Sequence, residues 1–194
     1  TCEEDMEKFR KLLKEERPVI RMLINSSGYG IMGRFTEMER QERLGMVDVN
    51  CRALTDMTCA CIPYMKKNSR LIMMASSAAF LPQPGFAVYA ATKSYALSLS
   101  RALREELREK GIYVTAVCPG PVRTEFFDRA EKYAATLAVK KFSCVEPEDV
   151  VRAALTASAR NRAMSVYSPL MKGFHLLSKT LPHSLLLEIA QKMK

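Results

Sequence analysis

A tyrosine and a lysine stand four residues apart in the segment Tyr89-Ala90-Ala91-Thr92-Lys93. On a helix this spacing brings two side chains onto one face, with their Cβ atoms about 5–6 Å apart. A free phenol has a pKa of about 10, and a neighbouring ammonium group favours the phenolate and lowers that value. The pair therefore indicates acid–base chemistry, in which Tyr89 exchanges a proton and Lys93 brings its pKa toward neutrality.

A serine hydroxyl precedes this pair, at the end of an apolar run. Ser76 follows residues 71–75, Leu-Ile-Met-Met-Ala, and a proline-containing loop separates it from Tyr89. Ser76 and Tyr89 could converge on one carbonyl oxygen, where a serine hydroxyl can donate to a developing alkoxide. Ser77 is the alternative donor, although alternation at a strand end directs adjacent side chains to different sides.

Apolar runs alternate with amphipathic segments along the chain. Strands are predicted at residues 19–24, 71–75, 112–118 and 164–167, and helices at 3–16, 37–64, 88–110 and 146–159. Thr36 and Glu39 fit a capping box for the second helix. This order predicts an α/β fold, a doubly wound, Rossmann-like parallel sheet in three layers. We expect one domain over residues 1–194, with a basic and apolar extension over residues 164–194.

The sequence resembles the short-chain dehydrogenase/reductase family over nearly its whole length. Residues 23–28, Leu-Ile-Asn-Ser-Ser-Gly, resemble the family's strand-ending Asn-Asn-Ala-Gly motif, and residues 119–124, Pro-Gly-Pro-Val-Arg-Thr, resemble the segment after its sixth strand. The resemblance implies that Tyr89 exchanges the proton and Ser76 steadies the substrate oxygen. It also implies that Lys93 holds the nicotinamide ribose and that Asn50 orders a water behind Lys93.

The same resemblance implies NAD or NADP as the cofactor. The implied contact residues are Asn25, Ser26, Gly28, Tyr89, Lys93, Pro119, Gly120, Val122 and Thr124. Thr124 would touch the nicotinamide amide, or it could instead cap a helix at Glu125. Asn50 could merely satisfy a neighbouring backbone carbonyl. The implied activity is hydride transfer between NAD(P)(H) and a secondary alcohol or ketone, and the apolar loops suggest a lipophilic substrate.

One family motif has no counterpart in this sequence. The family opens with a strand, a Gly-rich turn, Thr-Gly-x-x-x-Gly-x-Gly, and a helix whose N-terminus holds the cofactor pyrophosphate. Residues 28–33, Gly-Tyr-Gly-Ile-Met-Gly, match G-x-G-x-x-G by letter, but they stand in the family's post-strand loop, so we interpret the match as coincidence. The chain is expected to lack the first strands of the fold. A non-catalytic binding or oligomerisation module is the competing hypothesis.

The composition excludes several other classes of protein. A hydrophobic fraction of 48% and a charged fraction of 26% are typical of a globular domain. The six cysteines are scattered without C-x-x-C spacing, which predicts buried thiols in a reducing compartment and no metal site. With no secretion signal in the opening stretch, we expect a cytoplasmic protein. The net charge is +9, but no nucleic-acid module accompanies it, so no nucleic-acid partner is expected.

The tail combines basic and apolar residues. From Arg160 onward it has six Lys/Arg and one acid, Glu188. Its leucines predict core packing or an oligomer contact, with a weak membrane-surface contact as the alternative. Charged residues and Pro182 interrupt residues 169–190, which fall short of a spanning helix. The resemblance implies a small-molecule substrate and a homo-oligomer, because the family usually pairs subunits through the helices around Asn50 and Lys93.

Overall fold

The computed structural model describes residues 2–134 and 144–192. Four parallel strands within these ranges form one sheet in the order β1-β2-β3-β4: β1 (Ile20–Asn25), β2 (Met65–Met74), β3 (Tyr113–Val117) and β4 (Met164–Ser165). Leu23 pairs with Leu71, and Leu71 pairs in turn with Val114. Parallel neighbours require crossover connections, and helices supply them. The predicted doubly wound α/β fold is confirmed.

Helices lie before, between and after these strands. They are α1 (Glu3–Glu16), α2 (Arg40–Val47), α3 (Leu54–Cys61), α4 (Ala87–Glu106), α5 (Phe126–Ala130), α6 (Pro147–Ala159), α7 (Pro169–Thr180) and α8 (His183–Lys192). A π-helical segment, Asp48–Ala53, joins α2 to α3, and a 3₁₀ turn, Ile62–Tyr64, leads into β2.

The hydrophobic core occupies both faces of the sheet. On one face Leu71, Met73 and Val114 pack against residues of α3 and α4, among them Leu54 and Leu97. On the other face Ile72 and Val117 pack against Val150 and Ala154 of α6. Because β2 and β3 are covered on both sides, their sequences are apolar without alternation, as expected for the centre of a parallel sheet.

The second predicted helix is interrupted, and its predicted start is wrong. The helix begins at Arg40, and Glu39 is the N-cap without a side-chain hydrogen bond, so Thr36 and Glu39 form no capping box. Residues 35–37 form a turn instead. The interior of the predicted helix contains the π-helical segment. Its hydrogen-bonded turns are longer than those of an α-helix, and the spacing of apolar residues does not indicate them.

Strand β2 begins six residues before the predicted strand. Its first half is polar, and Ser69 anchors it: the hydroxyl donates to the Ile20 carbonyl at 2.7 Å and accepts from the Lys66 amide at 3.0 Å. Asn68 has a left-handed φ of +70° beside these bonds. Apart from the buried Met65, side-chain hydrogen bonds rather than apolar contacts hold this half of the strand, so hydrophobicity did not indicate it.

The cysteines are less buried than predicted. Cys61 and Cys118 are buried, Cys51 and Cys144 are half-buried, and Cys2 and Cys59 are exposed. No disulfide joins the six, all of which lie in the described ranges. Among the described residues, no cluster of three or more His, Cys, Asp or Glu side chains is placed to hold a metal. None of the helices described in residues 2–134 and 144–192 has the length and hydropathy to cross a membrane.

Candidate active site

A cleft of about 610 Å³ opens at the carboxyl ends of β1, β2 and β3. Each strand end contributes to it: Ser26 and Gly28 follow β1, Ser76 follows β2, and Pro119 to Val122 follow β3. Tyr89 and Lys93 enter from the first turns of α4. Ligands bind at this edge in doubly wound sheets. The structure thus brings the predicted Ser76, Tyr89 and Lys93 to one cleft.

Lys93 is a buried cation, with 6% of its surface exposed. Its Nζ donates to the main-chain carbonyl of Met74, at the end of β2, over 2.8 Å. Burial lowers the pKa of Lys93 to about 8, and the Cys51 and Cys118 thiols act in the opposite direction. The lysine therefore remains mostly charged at neutral pH, and it ties α4 to the sheet.

Tyr89 lies within an aromatic group and is 8% exposed. Its ring stacks on Phe86 with centroids 4.3 Å apart and meets Phe126 at 5.4 Å. Burial raises the pKa of Tyr89 to about 12, and a hydrogen bond with Ser76 partly opposes this. The expected lowering of this pKa by Lys93 is wrong, because desolvation dominates. Tyr89 is consequently a phenol at neutral pH, the form that can donate a proton.

Ser76 caps the 3₁₀ turn Ser77–Phe80. Its Oγ accepts from the Ala78 amide at 3.1 Å, which leaves the hydroxyl proton to donate. The Ser77 amide donates to the Pro119 carbonyl at 2.8 Å and so joins the segments that follow β2 and β3. Ser77 also lines the cleft. Ser76 also lowers the pKa of Tyr89 against the larger effect of burial, and its role as the polarising hydroxyl stays a prediction.

Asn50 is 1% exposed and lies in the π-helical segment. Its Nδ2 donates to the Tyr29 carbonyl at 2.8 Å and to Thr92 Oγ1 at 3.0 Å, while its Oδ1 accepts from the Tyr29 amide at 3.1 Å. Thr92 Oγ1 donates in turn to the Tyr89 carbonyl. Asn50 therefore fixes the loop after β1 to the turn of α4 that contains Tyr89 and Thr92. These bonds agree with the alternative that Asn50 satisfies a neighbouring carbonyl, and its relay role stays a prediction.

The glycines of residues 28–33 have a steric role that the sequence analysis missed. A Cβ on Gly28 would lie 2.9 Å from Asn50 Oδ1 and 3.2 Å from Lys93 Nζ. A Cβ on Gly30 would lie 2.6 Å from Tyr89 Cδ2. The segment opens no helix, since α2 begins at Arg40, so it is no dinucleotide fingerprint. The match by letter is therefore coincidence, as the sequence indicated, whereas Gly28 and Gly30 leave room for the close approach of Asn50, Lys93 and Tyr89.

The residues predicted to contact the cofactor divide into two groups. Those that line the cleft are Ser26, Gly28, Tyr89, Lys93, Pro119, Gly120, Val122 and Thr124. Asn25 turns inward instead, and its Nδ2 donates to Thr58 Oγ1 at 2.8 Å. Thr124 Oγ1 accepts from the Phe126 amide at 3.4 Å, beside the start of α5. This bond agrees with the alternative that Thr124 caps a helix. Cofactor contact by these residues stays a prediction.

The apolar wall of the cleft was also missed. Its members are Phe86, Val150, Val151, Phe126, Phe127, Leu170, Met171 and Phe174. Met171 packs so closely on the post-β3 turn that a Cβ on Gly120 would lie 2.8 Å from its Sδ. The only sequence signal was the apolar character of the tail, which does not tell what the tail packs against. The prediction that the tail packs on the core holds for the inward side of α7.

Comparison with known proteins decides the family. A family model described as short chain dehydrogenase matches residues 1–134. The chain belongs to the short-chain dehydrogenase family. Oxidoreductase UcpA of Escherichia coli strain K12 is 35% identical over 117 residues, which are 59% of this chain and 44% of that protein. The chain thus spans about half the length of the first curated short-chain dehydrogenase relatives it matches.

Other relatives and solved structures agree with this assignment. An uncharacterized oxidoreductase of Staphylococcus aureus strain MRSA252 is 27% identical over 168 residues. The match covers 86% of this chain and 70% of that protein. A short-chain dehydrogenase from Sphingobium yanoikuyae, in complex with NADPH, superposes with a TM-score of 0.72 at 30% identity, covering 84% of this chain and 62% of that one. A bulky-bulky ketone specific alcohol dehydrogenase from Comamonas testosteroni superposes with a TM-score of 0.69 at 26% identity. The superposition covers 93% of this chain and 71% of that one.

The contact between Gly30 and the Tyr89 ring predicts a stability effect. Gly30→Ala places a methyl group against the Phe86 and Tyr89 rings, so we expect the free energy of unfolding to fall by about 1–3 kcal/mol in urea titrations. Gly173→Ala is the matched control, because nothing lies within 4 Å of its added Cβ inside α7. That change should leave stability unchanged or raise it by up to about 1 kcal/mol. Equal stability of the two variants would contradict the contact.

The lowered pKa of Lys93 predicts a pH dependence of stability. Between pH 8 and 10 an unfolded lysine, with its ordinary pKa of 10.5, keeps a proton that folded Lys93 has lost. The free energy of unfolding should therefore rise with pH in this window, by about 2 kcal/mol relative to Lys93→Met. Above pH 10 the free energy of unfolding should instead fall with pH. The raised pKa of Tyr89 lets the folded protein keep a proton that an unfolded tyrosine has lost.

The measurement is a set of urea titrations at several pH values from 8 to 10. Lys11→Met is the control for loss of a surface lysine, since the Lys11 side chain is 77% exposed. A Lys93→Met slope identical to that of the wild type would show that Lys93 titrates as a solvated lysine.

Proposed function

We propose that this protein is an oxidoreductase that transfers hydride between NAD(P)(H) and a lipophilic secondary alcohol or ketone. The observation that carries the proposal is the convergence of Ser76, Tyr89 and Lys93 on one cleft at the carboxyl edge of the sheet. Family membership supports the reaction class. Solved relatives in complex with NADPH, from Sphingobium yanoikuyae, and with NADH, a 3-ketoacyl-(acyl-carrier-protein) reductase from Brucella melitensis, support the cofactor class.

The residues of the cleft fit the nicotinamide half of such a cofactor. Ser26, Gly28 and Gly120 are small, so the backbone after β1 and β3 stays accessible to a planar ligand. Lys93 Nζ lies beside Gly28 and can hold a ribose hydroxyl. Thr124 at the cleft wall can meet the amide group. When bound, the nicotinamide ring would supply hydride in reduction and accept it in oxidation.

The protein's own side chains manage the proton. In reduction, the Tyr89 hydroxyl donates its proton to the carbonyl oxygen, and the Ser76 hydroxyl donates a hydrogen bond to the same oxygen as negative charge develops. The raised pKa of Tyr89 keeps the donor protonated before the reaction. The charged Lys93, 5.7 Å from the centre of the Tyr89 ring, stabilises the phenolate that results. Oxidation of an alcohol runs through the reverse transfers.

The apolar wall supports a bulky, lipophilic substrate. Phe86 and Phe126 contact the Tyr89 ring, and Met171 and Phe174 of α7 also line the cleft. A cleft of about 610 Å³ has the size of sites that take drug-sized ligands. The ketone specificity stated for the Comamonas testosteroni neighbour supports the same substrate class.

We also propose a cytoplasmic location and a homo-oligomer. The absence of disulfides among the six cysteines supports a reducing compartment. Exposed apolar side chains on the helices around Asn50 and Lys93, namely Leu44, Val47 and Tyr95, support pairing of copies through that surface.

Replacing the proton donor tests the proposed reaction. Tyr89→Phe should lower the rate of ketone reduction about 100-fold or more, because it removes the acid while keeping the ring. NADPH binding, followed by its fluorescence, should persist. Tyr95→Phe is the matched control, since Tyr95 lies on the same helix but is exposed and bonds to Thr55. Its rate should equal that of the wild type.

The competing function is a non-catalytic binding or oligomerisation module. It predicts that the purified protein changes neither NADPH nor NADH fluorescence and reduces no ketone. Turnover that Tyr89→Phe leaves unchanged would remove Tyr89 from the acid–base role.

A further inference from the structure

The outer face of α7 exposes leucines to solvent. Leu170, Leu176 and Leu177 are 58%, 63% and 49% exposed. Leu170 and Leu177 are seven residues apart and so lie on one side of the helix, with Leu176 next to that side. The inward face is occupied by Met171 and Phe174, which line the cleft. Helix α7 is therefore apolar on both its inner and its outer face.

The charge around these leucines is exclusively positive within α7. Lys172 and Lys179 are exposed, and Leu176 stands four residues after the first and three before the second, so both lysines border it. No Asp or Glu stands between Asp149 and Glu188 in the sequence. An apolar helical face bordered by lysines fits an anionic lipid surface, which takes the leucines among its acyl chains and the lysines at its headgroups.

The leucine face is continuous with the mouth of the cleft. Leu170 is both exposed and part of the cleft wall, and Met171 packs on Gly120 one residue later. His175 lies against Phe80, in the turn that follows Ser76, with ring centroids 4.3 Å apart. Helix α7 thus rests on the segments after β2 and β3 and holds its outer face beside the opening.

We propose that the outer face of α7 (Leu170, Leu176, Leu177, Lys172 and Lys179) docks on anionic phospholipid surfaces. Docking places the mouth of the cleft at the lipid boundary. A lipophilic substrate would then enter from the lipid. This consequence rests on the proposed function, whereas the docking itself does not depend on that function.

Vesicle co-sedimentation of the purified protein tests the proposal. Vesicles of phosphatidylcholine with phosphatidylglycerol should bind the protein more tightly than pure phosphatidylcholine, and added salt should weaken the binding. The double variant Leu176→Ser, Leu177→Ser should lower the apparent affinity about tenfold or more through lost apolar contact. Lys172→Gln and Lys179→Gln should each lower it about fivefold.

Two surface changes on α1 are the matched controls. Leu12→Ser and Lys11→Gln alter an equally exposed leucine and a similarly exposed lysine, and neither should change vesicle binding. Lack of sedimentation with phosphatidylglycerol vesicles overturns the proposal, as does binding that the α7 variants leave unchanged. A concentration-dependent dimer that Leu176→Ser, Leu177→Ser dissociates, without vesicle binding, would instead make this face a contact between copies. None of these measurements needs cofactor or turnover, so their failure is separate from failure of the proposed reaction.

Discussion

The buried ammonium group of Lys93 is the constraint on which the site depends. Removing a cation from water is costly, and the structure offsets this cost with the Met74 carbonyl at 2.8 Å. That bond joins the first turns of α4 to the end of the central strand β2, where Ser76 begins the next turn. Because the lysine is fixed there, Tyr89 four residues earlier faces the same cleft. The position of the Lys93 ammonium group thus sets the position of Tyr89.

The segment after β1 has to accommodate this cation and the tyrosine beside it. Gly28 and Gly30 leave room where a methyl group would collide with Asn50, Lys93 or Tyr89. Asn50 then fastens the segment by bonding both backbone groups of Tyr29 and the hydroxyl of Thr92. Its amide group therefore holds the loop and α4 together. Three loops that follow parallel strands are in this way held around one cleft.

The sequence predicted the parts of this arrangement that are local. Tyr89 and Lys93 lie on one helix, Ser76 follows a strand, and apolar strands alternate with amphipathic helices, so the pattern indicated the fold and, together with the family resemblance, the candidate site residues. The raised pKa of Tyr89 could not be predicted from spacing, because it depends on burial by Phe86 and Phe126. The sequence also could not show that Met171 packs on Gly120, since the two are separated by the whole of α6 and β4. The steric role of Gly28 and Gly30 could not be predicted either, because the side chains that approach them are distant in the sequence.

We propose that a nicotinamide cofactor exchanges a hydride, and Tyr89 a proton, with one carbon–oxygen bond in this cleft. The most direct measurement uses NADPH or NADH carrying deuterium at both C4 positions, a bulky ketone and the purified protein, with mass spectrometry of the product. We predict an alcohol with deuterium on its carbinol carbon and a hydroxyl proton from solvent. An alcohol without deuterium on that carbon, or bound cofactor with no alcohol formed from any ketone in a broad panel, would contradict it.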